Sequence, residues 1–120
     1  MASLLVHVTC GPENPTRATL AFFVAAAALE AGHDVHVFLA GDAVQLLRAP
    51  VLNSLVGLGT GTLREHFDKV VAGGGRLYLS GGSCAARGVG DTDLRGVQHE
   101  KAGPPALVRL IVECDRSIVY

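Results

Sequence analysis

Short apolar runs alternate along the chain with longer mixed segments. Leu4 to Thr9 is an apolar run closed by Cys10-Gly11-Pro12, which predicts a buried strand. Asn14 before Pro15 supplies an N-cap and a first helical residue, so a helix is expected to about Ala31, stopped by Gly32. Val35 to Ala40 reads as a second buried strand, and Gly41-Asp42 opens a short helix to about Arg48. Ala49 to Gly61 is a connector punctuated by Gly and Pro, with room for a short extra strand. Thr62 to Ala72 is amphipathic, with Leu63, Phe67, Val70 and Val71 inward and the pairs Arg64–Asp68 and Glu65–Lys69 outward. Gly73-Gly74-Gly75 ends that helix, and Arg76 to Ser80 is a third strong strand. Gly88 to Gly103 is polar without an apolar period, so a lid or flexible loop is expected there. Pro104-Pro105 starts a last helix with Leu107, Leu110, Ile111 and Cys114 on its core stripe, before a closing strand at Arg116 to Tyr120. Strands alternating with helices predict an α/β domain with a mainly parallel sheet of four to five strands.

Composition narrows the function classes. At 120 residues, with 49% hydrophobic and 18% charged positions, the chain forms one domain over residues 1–120 and has a core of its own. The helix after Asn14 is apolar almost all round: Leu20, Phe23, Val24 and Ala27 on one face, Phe22, Ala25, Ala26 and Leu29 on the other. A surface helix is not built that way: this one is either central to the domain or covered by another subunit, and a homo-oligomer is expected. A net charge of −1 and only two lysines, Lys69 and Lys101, exclude nucleic acid as a first partner. No charged leader precedes the first strand, and the longest apolar run, Leu20 to Leu29, is half a membrane span. A soluble, cytoplasmic protein with no membrane contact is therefore expected. Three cysteines, Cys10, Cys84 and Cys114, are too few and odd for a disulfide framework, and no zinc-type spacing occurs. His33 and His36, three apart on a strand, point to opposite faces and do not converge on a metal. Phosphate and dinucleotide fingerprints are absent, since Gly57 to Gly61 lacks the required third spacing; no metal and no cofactor are expected.

Candidate chemistry lies where strands end. In open α/β sheets ligands gather at the carboxyl ends of the strands. Here those ends carry Cys10-Gly11-Pro12, Gly41-Asp42, and Ser80-Gly81-Gly82-Ser83-Cys84. The third is the most informative. Gly81 and Gly82 permit close approach of a substrate, Ser83 suits an N-cap, and Cys84 falls in the first turn of a short helix through Arg87. A helix N-terminus and the Arg87 charge favour a thiolate, and the flanking glycines leave little cover, so a depressed thiol pKa is expected at Cys84. Cys10 is a candidate resolving thiol, and Cys114 is read as packing. Asn14 and Asp42 could orient a ligand, although helix capping and dipole compensation account for both without one.

The segments GPENPTRATLAF (Gly11 to Phe22), AGHDVHVFLAGDAV (Ala31 to Val44) and LYLSGGSCAARG (Leu77 to Gly88), with the ending CDRSIVY, resemble the DsrE/DsrF-like family over nearly the whole chain. The resemblance implies a three-layer α/β/α sandwich that assembles into dimers, trimers or hexamers, a trimer being slightly favoured here. It also implies a sulfur-carrier or sulfurtransferase-like protein that accepts sulfane sulfur as a persulfide on Cys84 and exchanges it with a donor or acceptor protein. Family members without known activity leave enzymatic turnover open. The alternative is a non-catalytic, homo-oligomeric binding module that holds a small ligand or partner protein in the crevice at the strand C-termini.

Overall fold

The first apolar run becomes strand β1 (Ser3–Val8), and the turn after it delivers the chain into helix α1 (Pro15–Glu30) in a computed structural model that describes residues 1–120. Asn14 caps α1 by accepting the Arg17 amide at 3.2 Å, and Gly32, at φ +88°, turns the chain out of it. Strand β2 (Asp34–Leu39) follows, then a 3-10 helix over Gly41–Leu47 and a single turn, α2 (Ala49–Leu52). The rest of the predicted connector folds as a separate two-stranded antiparallel hairpin, β3 (Val56–Gly57) and β4 (Gly61–Thr62). Helix α3 (Leu63–Ala72) starts on a reciprocal Thr62–Glu65 capping box. Strand β5 (Arg76–Ser80) runs directly into helix α4 (Gly81–Arg87), and strand β6 (Glu100–Ala102), helix α5 (Pro104–Glu113) and strand β7 (Arg116–Val119) complete the chain.

Five strands form one parallel sheet in the order β6-β5-β2-β1-β7. The steps from β1 to β2, β5 and β6 all move the same way across it, and only the step to β7 returns past them. Right-handed crossovers then place α1 and α3 on one face and α5 on the other, giving the three-layer sandwich. On the first face Val6, Val37 and Leu77, and Val8, Leu39 and Leu79, stand in register beneath Ala18, Phe22, Ala25 of α1 and Phe67, Val70 of α3. On the second face Leu5, Phe38 and Tyr78 meet only Leu110 of α5, with Leu107 and Cys114 half-buried beside them. β7 closes the outer side of β1: the Asp115 amide donates to the Ser3 carbonyl at 3.0 Å, and the Thr9 amide to the Tyr120 carbonyl at 2.8 Å. No helix is long and apolar enough to cross a membrane.

Three expectations need correction. Gly88 to Gly103 is not without buried pattern: Val89 and Leu94 are core residues, and the segment ends in β6, which pairs with Tyr78–Ser80. Val71 and Ile111, assigned to core stripes, are half-exposed, because each helix buries a narrower stripe than its apolar residues offered. Helix α1 is not central to the chain but lies on its surface, burying Ala18, Ala21, Phe22, Ala25 and Ala26 and leaving Phe23 and Ala27 exposed.

Candidate functional site

The carboxyl end of β5 leads without a loop into α4, and the cap there is Ser80, whose Oγ accepts the Ser83 amide at 3.3 Å. The expected cap at Ser83 is thus displaced by one turn. Ser83 lies inside the helix, and its Oγ instead accepts the Gly41 amide at 2.8 Å, tying the end of β5 to the end of β2. Gly81 and Gly82 contribute backbone freedom at the helix entry and have no close neighbour that a side chain would strike.

Cys84 is the correction with most consequence. It is the fourth residue of α4 and faces the core, 1% exposed, in the cluster that also holds Val89 and Leu94. Burial pushes its thiol pKa up, while the nearby Lys101 and Arg87 charges pull it down and lose. The expected depression is overturned because the side chain packs into the core, where the glycines beside it leave no opening to water. Arg87 does lie one turn on, but its Nε donates to Asp42 Oδ1 at 2.9 Å and its Nη1 to the Ser83 carbonyl at 3.3 Å. The fold therefore brings Ser83, Cys84, Arg87 and Asp42 together, with the guanidinium committed to the carboxylate.

Cys10 and Asn14 belong to the β1–α1 turn. Cys10 is a half-buried free thiol raised by burial and by Glu13, with Arg17 opposing. The Glu13 carboxylate folds back onto the Gly11 amide, and Asn14 caps α1. Cys114, also free and half-buried, sits against the small core under α5, where burial raises its thiol too. His33 accepts the Ala2 amide, and His36 Nδ1 bonds the Tyr78 hydroxyl at 2.9 Å, so the two histidines serve separate contacts.

Two residues near Cys84 escaped the sequence reading. Arg48 follows the 3-10 helix and reaches the last turn of α4, where its Nη2 donates to the Gly88 carbonyl at 2.8 Å and the Arg87 carbonyl at 3.3 Å. Lys101 stands on β6 and pairs with Asp91 at 3.4 Å. Neither carried a signal, because the partners of Arg48 lie 39 and 40 residues away and Lys101 stands on a strand too polar to be read as one. Between the β1–α1 turn and the 3-10 helix opens a cleft of about 430 Å³ lined by Pro12, Glu13, Asp42, Gln45 and Arg48, with Pro50 and Val51 at its edge. Its charged side chains, set among more apolar surface, can hold a ligand or a partner's side chain. The thiol can do chemistry only once its cover moves.

Solved structures share the fold. The ychN protein from E. coli superposes with a TM-score of 0.78 at 16% identity, covering 100% of both chains. MTH1491 from Methanobacterium thermoautotrophicum, a protein of unknown function, gives 0.71 at 18% identity, again over 100% of both. BT1422 from Bacteroides thetaiotaomicron, a conserved protein of unknown function, gives 0.66 at 17% identity over 98% of this chain and 95% of that one. No curated protein matches the sequence. The profile of the DsrE/DsrF-like family, a family associated with sulfur relay, matches residues 2–120, and with that span covered the chain belongs to the DsrE/DsrF-like family.

Proposed function

We propose that the chain is a sulfur carrier whose acceptor is Cys84, kept closed at rest. The observation that carries this reading is the position of Cys84 at the β5–α4 junction, at the carboxyl end of the sheet where open α/β folds gather ligands, with Arg87 and Lys101 both acting on its thiol. Once uncovered, the thiol gives its proton to water and the thiolate attacks the outer sulfur of a donor persulfide. The donor's S–S bond breaks, its inner sulfur leaves as a thiolate, and a new S–S bond forms on Cys84. Passing the sulfur to an acceptor thiolate is the same exchange in reverse, so no separate oxidant is required. The test is incubation with glutathione persulfide followed by peptide mass analysis. Gain of one sulfur on the Cys84 peptide, lost in Cys84→Ser and kept in Cys10→Ser and Cys114→Ser, supports the carrier; no gain on Cys84 overturns it.

The closed thiol and the open cleft beside Asp42 and Arg48 favour a second reading, a binding module without turnover. Asp42, Gln45 and Arg48 would then orient a small ligand or a partner's side chain in the cleft, and Cys84→Ser would bind as the unaltered protein does. In either reading we propose a homo-oligomer. Phe23, 45% exposed and stacked on His66 at 4.3 Å, marks an apolar α1 face with no cover inside the chain. A trimer rests on family resemblance alone. Light scattering that returns about the chain mass of 12.4 kDa at micromolar concentration would exclude assembly.

A further inference from the structure

We propose that Arg48 is the latch that keeps Cys84 closed, an inference that rests on the carrier reading and adds its regulation. The side chain crosses from the end of the 3-10 helix to the end of α4 and donates to the carbonyls of Arg87 and Gly88. Terminal carbonyls of a helix lack partners within it, so a guanidinium placed there satisfies them and complements the local dipole. Gly88, at φ +66°, is the left-handed pivot where the chain leaves α4. Beyond the pivot the chain turns back, with the Asp93 carboxylate accepting the Gly90 amide at 3.0 Å and facing Arg48 Nε at 3.7 Å. One side chain thus holds both the end of α4 and the turn that follows it. That turn carries Val89 and Leu94, which share the core cluster of Cys84, and the Val89 amide donates to the Cys84 carbonyl at 2.9 Å.

The latch is built to release. Arg48 Nε is buried without a hydrogen-bond partner, because 3.7 Å to Asp93 is an ion-pair distance and too long for a hydrogen bond. An unsatisfied buried donor weighs against the closed state and regains water when the segment swings away. A docking partner that offers Arg48 a better acceptor would therefore open the route to Cys84 without unfolding the sheet, whose strands make no use of Arg48.

The experiment is alkylation with iodoacetamide at fixed pH, read for each cysteine by peptide mass, on the full chain and on Arg48→Gln and Arg48→Lys. Cys84 in Arg48→Gln should label about tenfold faster, the change expected when charge-assisted bonds holding a local opening are removed. Arg48→Lys, which keeps the charge and loses the fork onto two carbonyls, should fall between. Cys114, on the other face of the sheet, is the internal control and should not change. An unchanged Cys84 rate, or a parallel rise at Cys84 and Cys114, overturns the latch. Asp93→Asn keeps the acceptor for Gly90, removes the charge facing Arg48, and gives a smaller rise at Cys84 by the same readout; if Arg48→Gln does not fold, an unchanged rate in Asp93→Asn overturns the proposal. Labelling needs no sulfur donor. A faster Cys84 that takes up no sulfur would leave the latch standing and refute the carrier, and sulfur uptake with an unchanged labelling rate would do the reverse.

Discussion

Two adjacent phenylalanines test how α1 is seated. Phe22 is fully buried between the sheet and α3, its ring centroid 6.2 Å from that of Phe67. Truncation to Ala removes on the order of 150 Å² of buried apolar surface and leaves a cavity, a loss of about 4 kcal/mol. For 120 residues the unfolding entropy is about 0.25 kcal/mol/K, so the melting temperature should fall by about 15 °C. Phe23 is 45% exposed and stacks on His66, so its truncation gives up part of that area and one ring contact, about 1 kcal/mol and roughly 4 °C. Urea unfolding followed by circular dichroism resolves the two, and repeating it at two protein concentrations separates any part of the Phe23 effect that comes from assembly. Equal midpoint losses in Phe22→Ala and Phe23→Ala at low concentration would refute the docking of α1 described above.

Two further outcomes follow from the same structure. Burial raises the thiols of Cys10, Cys84 and Cys114 and the phenol of Tyr78, so the unfolded chain ionises them first; urea midpoints should hold up to about pH 8.5 and decline above it, and a midpoint that rises between about pH 8 and 10 would contradict this. His7 is lowered by burial, which adds a decline as pH falls below about 6.5. A Cβ on Gly11 would lie 2.7 Å from the Asp42 carbonyl carbon, so Gly11→Ala should cost about 1–3 kcal/mol by forcing two backbones apart, whereas Gly82→Ala meets open space; equal thermal melts for the two variants would refute the close packing of Gly11.

Much of the scaffold was legible because local signals agreed with the tertiary result. β1, β2 and β5 carry dense apolar runs, broken only by His7 in β1 and His36 in β2, and α1 and α3 announce their starts through Asn14-Pro15 and the Thr62–Glu65 box. The failures share a cause. β6 is Glu-Lys-Ala, a strand only because Tyr78–Ser80 presents an edge to it, and no pattern within two charged residues and an alanine can show that. Two glycines are a poor helix entry by propensity, which pointed to Ser83 rather than Ser80 as the cap. Val89 and Leu94, which join the buried cluster of Cys84, are two isolated apolar residues in a polar stretch, and the roles of Arg48 and Asp42 depend on partners 39 to 45 positions away. The cysteine's position at the carboxyl end of β5 was readable; its burial was not.

The pairing of β7 with β1 also sets a clock during synthesis. Asp115 bonds Ser3 across 112 positions, so the outer edge of the first strand made waits for the last strand of the sheet. At translation rates of about 5–20 residues per second that edge, with its run Leu4 to Val8, stays open for roughly 6 to 20 seconds. An unpaired apolar edge is a template for intermolecular pairing. Substitutions in β7 should therefore lower the yield of folded chain in the cell more than their small burial would suggest.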